Sequence, residues 1–183
     1  MSDSIQGMIA ALIEREGGFS NHRADKGGPT KYGITQRTLS IYLKRPVSID
    51  EVRGLTKEKA AEIYERFYYL DPHIDLLPPG FQAQVMDMAV NHGAPDGIRY
   101  FQQFLNTFGS GLKADGIIGP KTAKACAVVI KQLGKIEANN RLAEFRQGVY
   151  LGIVENDPTQ IGFRNGWLKR AKEFITQEEE VFA

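Results

Sequence analysis

The sequence predicts an all-α fold: a helical bundle with one small loop-rich or β-hairpin lobe. Three observations carry this. Apolar residues recur at i, i+3, i+4 and i+7 through most of the chain. No run of alternating apolar and polar residues reads clearly as a strand. The breaks between periodic stretches fall on glycine, proline and capping residues. With 183 residues, the chain can bury roughly 70% of its unfolded surface, enough to fold without disulfides or a metal.

The elements follow in order. Ile5, Met8, Ile9, Leu12 and Ile13 make one apolar stripe, and Gly17-Gly18 ends that helix. Residues 19–38 read as a polar loop, with room for a short hairpin because Phe19, Tyr32 and Ile34 have strand character. Ser48 and Glu51 have capping-box spacing for a short helix that stops at Gly54. Thr56 caps a helix running to about Tyr69, before Asp71-Pro72 breaks it. Phe81 to His92 follows, ended by Gly93. Asp96 caps the next, whose face is Ile98, Phe101, Gln102, Leu105 and Phe108. Pro120 opens a helix to about Leu133, Gly134 separates a long helix to about Val154, and Phe163 to Glu180 reads as the last.

Composition excludes several functions. The charged fraction is 25% and the net charge +1. Residues 1–93 hold eleven basic against twelve acidic side chains, and 94–183 twelve against ten, so neither half is a basic arm for nucleic acid. His22, His73 and His92 are scattered without zinc-site spacing, and no cofactor or metal is expected. Cys126, in a small apolar run, reads as a buried core thiol. No apolar run is long enough to span a membrane.

Glu16 is the informative residue. It lies eleven positions after Ile5, seven after Ile9 and four after Leu12, so it continues the apolar stripe while Glu14 points away. A carboxylate there is partly desolvated and sits at the negative end of the helix dipole. Both effects disfavour its charged form and raise its pKa. An acid still protonated near neutral pH suits protonation of a glycosidic oxygen. Asp25 follows nine residues later and Thr30 five after that. A second carboxylate near the scissile bond and a hydroxyl to hold water complete such a site. Taken alone, Asp25 reads equally as a turn residue before Lys26-Gly27.

The run from Glu16-Gly17-Gly18-Phe19, through Ala24-Asp25-Lys26-Gly27-Gly28-Pro29-Thr30, to Lys31-Tyr32-Gly33-Ile34-Thr35 resembles the Glu-Gly-Gly segment of glycoside hydrolase family 108. That family comprises phage and prophage endolysins, N-acetylmuramidases with a lysozyme-like fold. The resemblance implies that Glu16 is the catalytic acid, with Asp25 and Thr30 beside it. In the wider phage-lysozyme pattern five residues separate Asp and Thr, whereas four do so here. The helix around Asp87, Ala89, Val90, Asn91 and Gly93 looks like the family's cleft-lining helix, which makes Asn91 a candidate for substrate binding. Asp115-Gly116 to Thr122, and later Phe163 to Arg170, resemble the family's C-terminal peptidoglycan-binding region. Aromatic rings cover the apolar face of a pyranose, so Tyr32, Tyr68 and Tyr69 are candidates. Tyr68 and Tyr69 point about 100° apart on a helix, so only one faces a cleft; Tyr69 is the one selected.

The expectation is therefore a lysozyme-like catalytic region, 1–93, and a helical peptidoglycan-binding region, 94–183, packed into one globular monomer. It would hydrolyse the β-1,4 bond between N-acetylmuramic acid and N-acetylglucosamine and so lyse a host cell. Bacterial peptidoglycan is the expected partner, with no nucleic acid and no membrane span. No signal peptide is visible, so synthesis in the host cytoplasm and export to the wall by a holin or another route are expected. A lytic transglycosylase and a non-catalytic wall-binding or virion protein remain as alternatives at this stage.

Overall fold

A computed structural model describes residues 5–21 and 28–176, with the backbone but not the side chain of Glu16. The described chain is all-α apart from one two-stranded hairpin. It divides into two compact units, one ending at Asp71 and one beginning at Pro72.

In the first unit α1 spans Ile5–Glu16 and packs on α4, Lys57–Glu65. Ile9, Leu12 and Ile13 are buried as the stripe requires, while exposed Glu14 pairs with Lys57. Strands β1, Thr30–Lys31, and β2, Ile34–Thr35, pair antiparallel through a two-residue turn at Tyr32-Gly33. Both turn residues have positive φ, 51° and 73°, as a type I′ hairpin demands. Tyr32 thus occupies the turn and not a strand. The expected loop 19–38 is shorter than its polarity suggested, because Thr35 accepts from the Thr38 N–H and starts α2, Gln36–Leu43. Ser48 and Glu51 form the reciprocal capping box of α3, Ile49–Arg53, and Thr56 caps α4. After α4 the chain winds into one π-helical turn, Arg66–Leu70.

In the second unit a 3₁₀ turn, Ile74–Leu76, leads into α5, Pro79–His92. Helix α6, Ala94–Asn106, packs on α5, and its predicted face is buried at Ile98, Phe101, Gln102 and Leu105. Asp96 is not its cap: the helix starts at Gly93, and Asp96 pairs with Arg99 inside the first turns. A Cβ at Gly97 would lie 2.6 Å from the backbone carbonyl of Met88, so the two helices touch main chain to main chain. Helix α7 is Pro120–Leu133 and α8 is Lys135–Asn156. The last helix is shorter than the periodicity suggests: a 3₁₀ stretch, Pro158–Phe163, precedes α9, Arg164–Lys172, which packs on α8. Phe81, Phe101 and Phe104 cluster in the core with ring centroids 5.7–6.4 Å apart, each fully buried ring worth roughly 1.5–3 kcal/mol. Cys126 is buried, and burial pushes its thiol up to about 12, which leaves it inert. Among the described residues no helix is long and apolar enough to cross a membrane.

Candidate active site

Glu16 is the last residue of α1, one turn beyond buried Leu12. Gly17 then turns the chain with φ 73°, a conformation costly for any residue with a Cβ. Two backbone clamps bring the hairpin to this point. The Tyr32 N–H donates to the Gly17 carbonyl at 3.2 Å. Ser20 and Thr30 exchange N–H···O bonds of 2.8 and 2.9 Å. The end of α1, Thr30 and Tyr32 therefore form one neighbourhood.

Each described member has a defined chemistry. The half-buried Thr30 hydroxyl donates to the Gly28 carbonyl at 2.9 Å, which leaves its oxygen as an acceptor. Tyr32 is half-exposed, with Lys31 Nζ 5.1 Å from its ring centroid. Its carbonyl accepts from the buried Tyr64 hydroxyl at 2.9 Å, a bond that fixes the turn from below. Lys31 Nζ donates to the Arg53 carbonyl, tying β1 to α3. Asp25 falls within 22–27 and, like the Glu16 side chain, lies outside the described residues.

Tyr69, the tyrosine selected from the sequence, is the buried one of the two. Tyr69 is 5% exposed, in the core of the first unit, whereas Tyr68 is half-exposed and packs its ring on Tyr64 at 5.5 Å. The π-helical turn carries both residues and offsets the facing that a regular α-helix would give.

Asn91 lies in the second unit at the rim of a buried polar network. Its amide nitrogen donates to the Tyr150 hydroxyl at 2.8 Å, and Arg146 donates to the same oxygen at 3.1 Å. Arg146 also donates to Asp87 at 2.7 Å, and Arg170 grips both Asp87 oxygens at 3.0 and 3.1 Å. Asp87 is 3% and Arg146 1% exposed. The Arg146 Nε and Nη1 atoms find no hydrogen-bond acceptor among the described residues. The guanidinium instead lies 5.3 and 5.9 Å from the ring centroids of Phe174 and Tyr150, whose faces favour a cation. Above it His92, Tyr150, Trp167 and Phe163 stack in a column at 5.1, 5.4 and 5.6 Å. No group of three or more potential metal-binding side chains occurs among the described residues.

The profile of the family described as Glycosyl hydrolase 108 matches residues 9–93, and that of a Predicted Peptidoglycan domain matches 96–172. No curated protein matches the chain. Among solved structures, SagA from Brucella abortus is 30% identical, with a TM-score of 0.76 over 93% of this chain and 90% of that one. The chain belongs to the glycosyl hydrolase 108 family. It is a glycoside hydrolase with a lysozyme-like fold that acts on peptidoglycan. The family match covers all six sequence-selected residues: Glu16, Asp25, Thr30, Tyr32, Tyr69 and Asn91. What the sequence missed in this family 108 enzyme is the Asp87–Arg146–Arg170 cluster. Its arginines lie 59 and 83 positions from Asp87, and no local spacing links them.

His92 gives the hydrolase a pH signature. Burial first, and then the Arg146 charge, pull its imidazole down to about 4. Between its unfolded value near 6.5 and about 4, the unfolded chain holds a proton that the folded chain refuses. Stability is therefore full above about 6.5 and falls as pH drops through that window, by a few kcal/mol at most. Thermal melts from pH 4 to 7 should show His92→Phe, which keeps a ring in the column, with a flatter profile than the wild type. Parallel profiles would assign the acid loss elsewhere.

Proposed function

We propose that this enzyme hydrolyses the β-1,4 bond between N-acetylmuramic acid and N-acetylglucosamine, and that its biological role is lysis of a bacterial host as an endolysin. The observation that supports the reading is the clamp that folds the hairpin against the end of α1, which Glu16 closes. Glu16 donates its proton to the leaving oxygen. Asp25, nine residues on in the sequence, stabilises the oxocarbenium-like transition state or directs water with the Thr30 oxygen. Tyr32, at the hairpin tip, offers its ring to a sugar face. Asn91 borders the second unit's network, where its amide is already engaged with Tyr150. The muramidase reading implies that the enzyme acts in the cell wall after export.

Mass spectrometry of fragments released from purified peptidoglycan tests this. Fragments with reducing N-acetylmuramic acid ends and one added water support it. Anhydro ends would mean a lytic transglycosylase, and reducing N-acetylglucosamine ends a glucosaminidase. Asp25→Asn should lower turnover by at least about tenfold, or about 1.4 kcal/mol of barrier. Wild-type turnover of that variant on purified walls would remove Asp25 from the mechanism.

A further inference from the structure

A broad cleft of the second unit has neither Asn91 nor the aromatic column in its lining. It holds about 1090 Å³ and is open to solvent, between the glycine-rich loop 109–119 and α7. The loop is built to hold this shape. Buried Gln102 donates to Asp115 Oδ1 and to the Ile117 carbonyl, both at 3.0 Å, and accepts from the Gly116 N–H at 2.9 Å. A Cβ at Gly116 would meet the Pro95 carbonyl oxygen at 2.6 Å, so the loop is seated against backbone. The Asp115-Gly116 to Thr122 motif is thus spent on architecture: Asp115 and Gly116 bond Gln102, and Thr122 is buried beside them.

What the motif frames is different in character. Lys113, Lys121 and Lys124 line the cleft, against the single carboxylate of Asp115. That carboxylate is already occupied by Gln102 and by the Ile117 N–H. The lining also carries Phe108 and two apolar side chains that solvent reaches, Ile117 at 66% and Val128 at 46% exposure. Helix α7 begins at this wall with no side chain capping it, which adds positive potential. A cationic rim around small apolar contacts suits a short acidic peptide rich in methyl groups better than a neutral sugar chain.

We propose that this cleft binds the acidic stem peptide of peptidoglycan, with the three lysines on its carboxylates and Ile117 and Val128 on its alanine methyls. The choice of a peptidoglycan ligand rests on the reading that the enzyme acts on the wall; the choice of peptide over glycan rests on the cleft itself. The enzyme would then hold its substrate by a part it does not cut.

Titration of a ¹⁵N-labelled full chain with a synthetic, glycan-free stem pentapeptide tests it, because a glycosidase cannot consume that probe. Amide shifts should cluster on 109–128, and Lys121→Glu/Lys124→Glu should weaken binding by at least about tenfold. The same peptide with its carboxylates amidated should bind as poorly as that variant does to the parent peptide. The double variant should cleave peptide-stripped glycan at the wild-type rate yet act more slowly on intact walls. Absence of shifts at millimolar peptide, undiminished binding by the double variant, equal shifts with chitotetraose, or equal affinity for polyphosphate would each overturn the proposal. Peptide binding by a chain that leaves wall glycan uncut would sink the catalytic reading and leave this one standing.

Discussion

Glu16→Gln is expected to keep the fold and lose about 10²–10⁴-fold of wall-clearing activity, the usual worth of general acid catalysis. Glutamine preserves size and polarity but has no proton to give the leaving oxygen. Position 16 lies at the end of α1, one turn beyond buried Leu12, and glutamine is as good a helix former there as glutamate. The measurement is turbidity loss of purified walls, with circular dichroism and melting temperature as controls. Near wild-type clearing by a folded Glu16→Gln would reject Glu16 as the acid. Glu14 offers the internal comparison: it is exposed and paired with Lys57, and Glu14→Gln should leave activity within about twofold, since exposed pairs contribute little.

Asp87→Asn should instead destabilise the second unit by about 3–5 kcal/mol, because it leaves two guanidinium groups facing a neutral amide in a buried site. Arg146 is 1% exposed and Arg170's side chain 14%, so neither charge can recover full hydration. In melting temperature this is a drop of roughly 10 °C or more. The carboxylate's two oxygens are both committed to arginines, which argues for structural work and against a role as the second catalytic carboxylate. Urea unfolding and turnover below the melting range separate the two. A variant that melts like the wild type but has lost its activity would put Asp87 in the chemistry.

The helices were legible because their signals are local. The Ile5–Ile13 stripe, the Ser48–Glu51 box, the Thr56 cap and Pro120 each act within a turn or two, and each appears where the spacing puts it. Helix α2 was hidden because its cap, Thr35, is also the last residue of a strand, and a polar start masked the apolar face. Tyr69 was misjudged because a π-turn leaves no mark in periodicity. Asp96 resembles a cap, yet Gly93 starts that helix. The buried cluster was beyond reach for another reason. Its energy depends on side chains from α5, α8 and α9 meeting, and pairing over such separations is a property of the fold and not of any window of sequence.

The close approach of α5 and α6 bears on how such enzymes exchange parts. The two family profiles divide between residues 93 and 96, in the few residues joining these helices. Packing divides the chain earlier, after Asp71, and keeps α5 with the helices that follow it. The segment that inheritance labels as hydrolase thus ends with a helix whose Met88 carbonyl is in main-chain contact with Gly97 of its neighbour. A crossover at the labelled border would give a new lineage one helix shaped for a glycine it no longer has, whereas a crossover near residue 71 would transfer the pair whole. The unit of recombination and the unit of recognition need not share an edge.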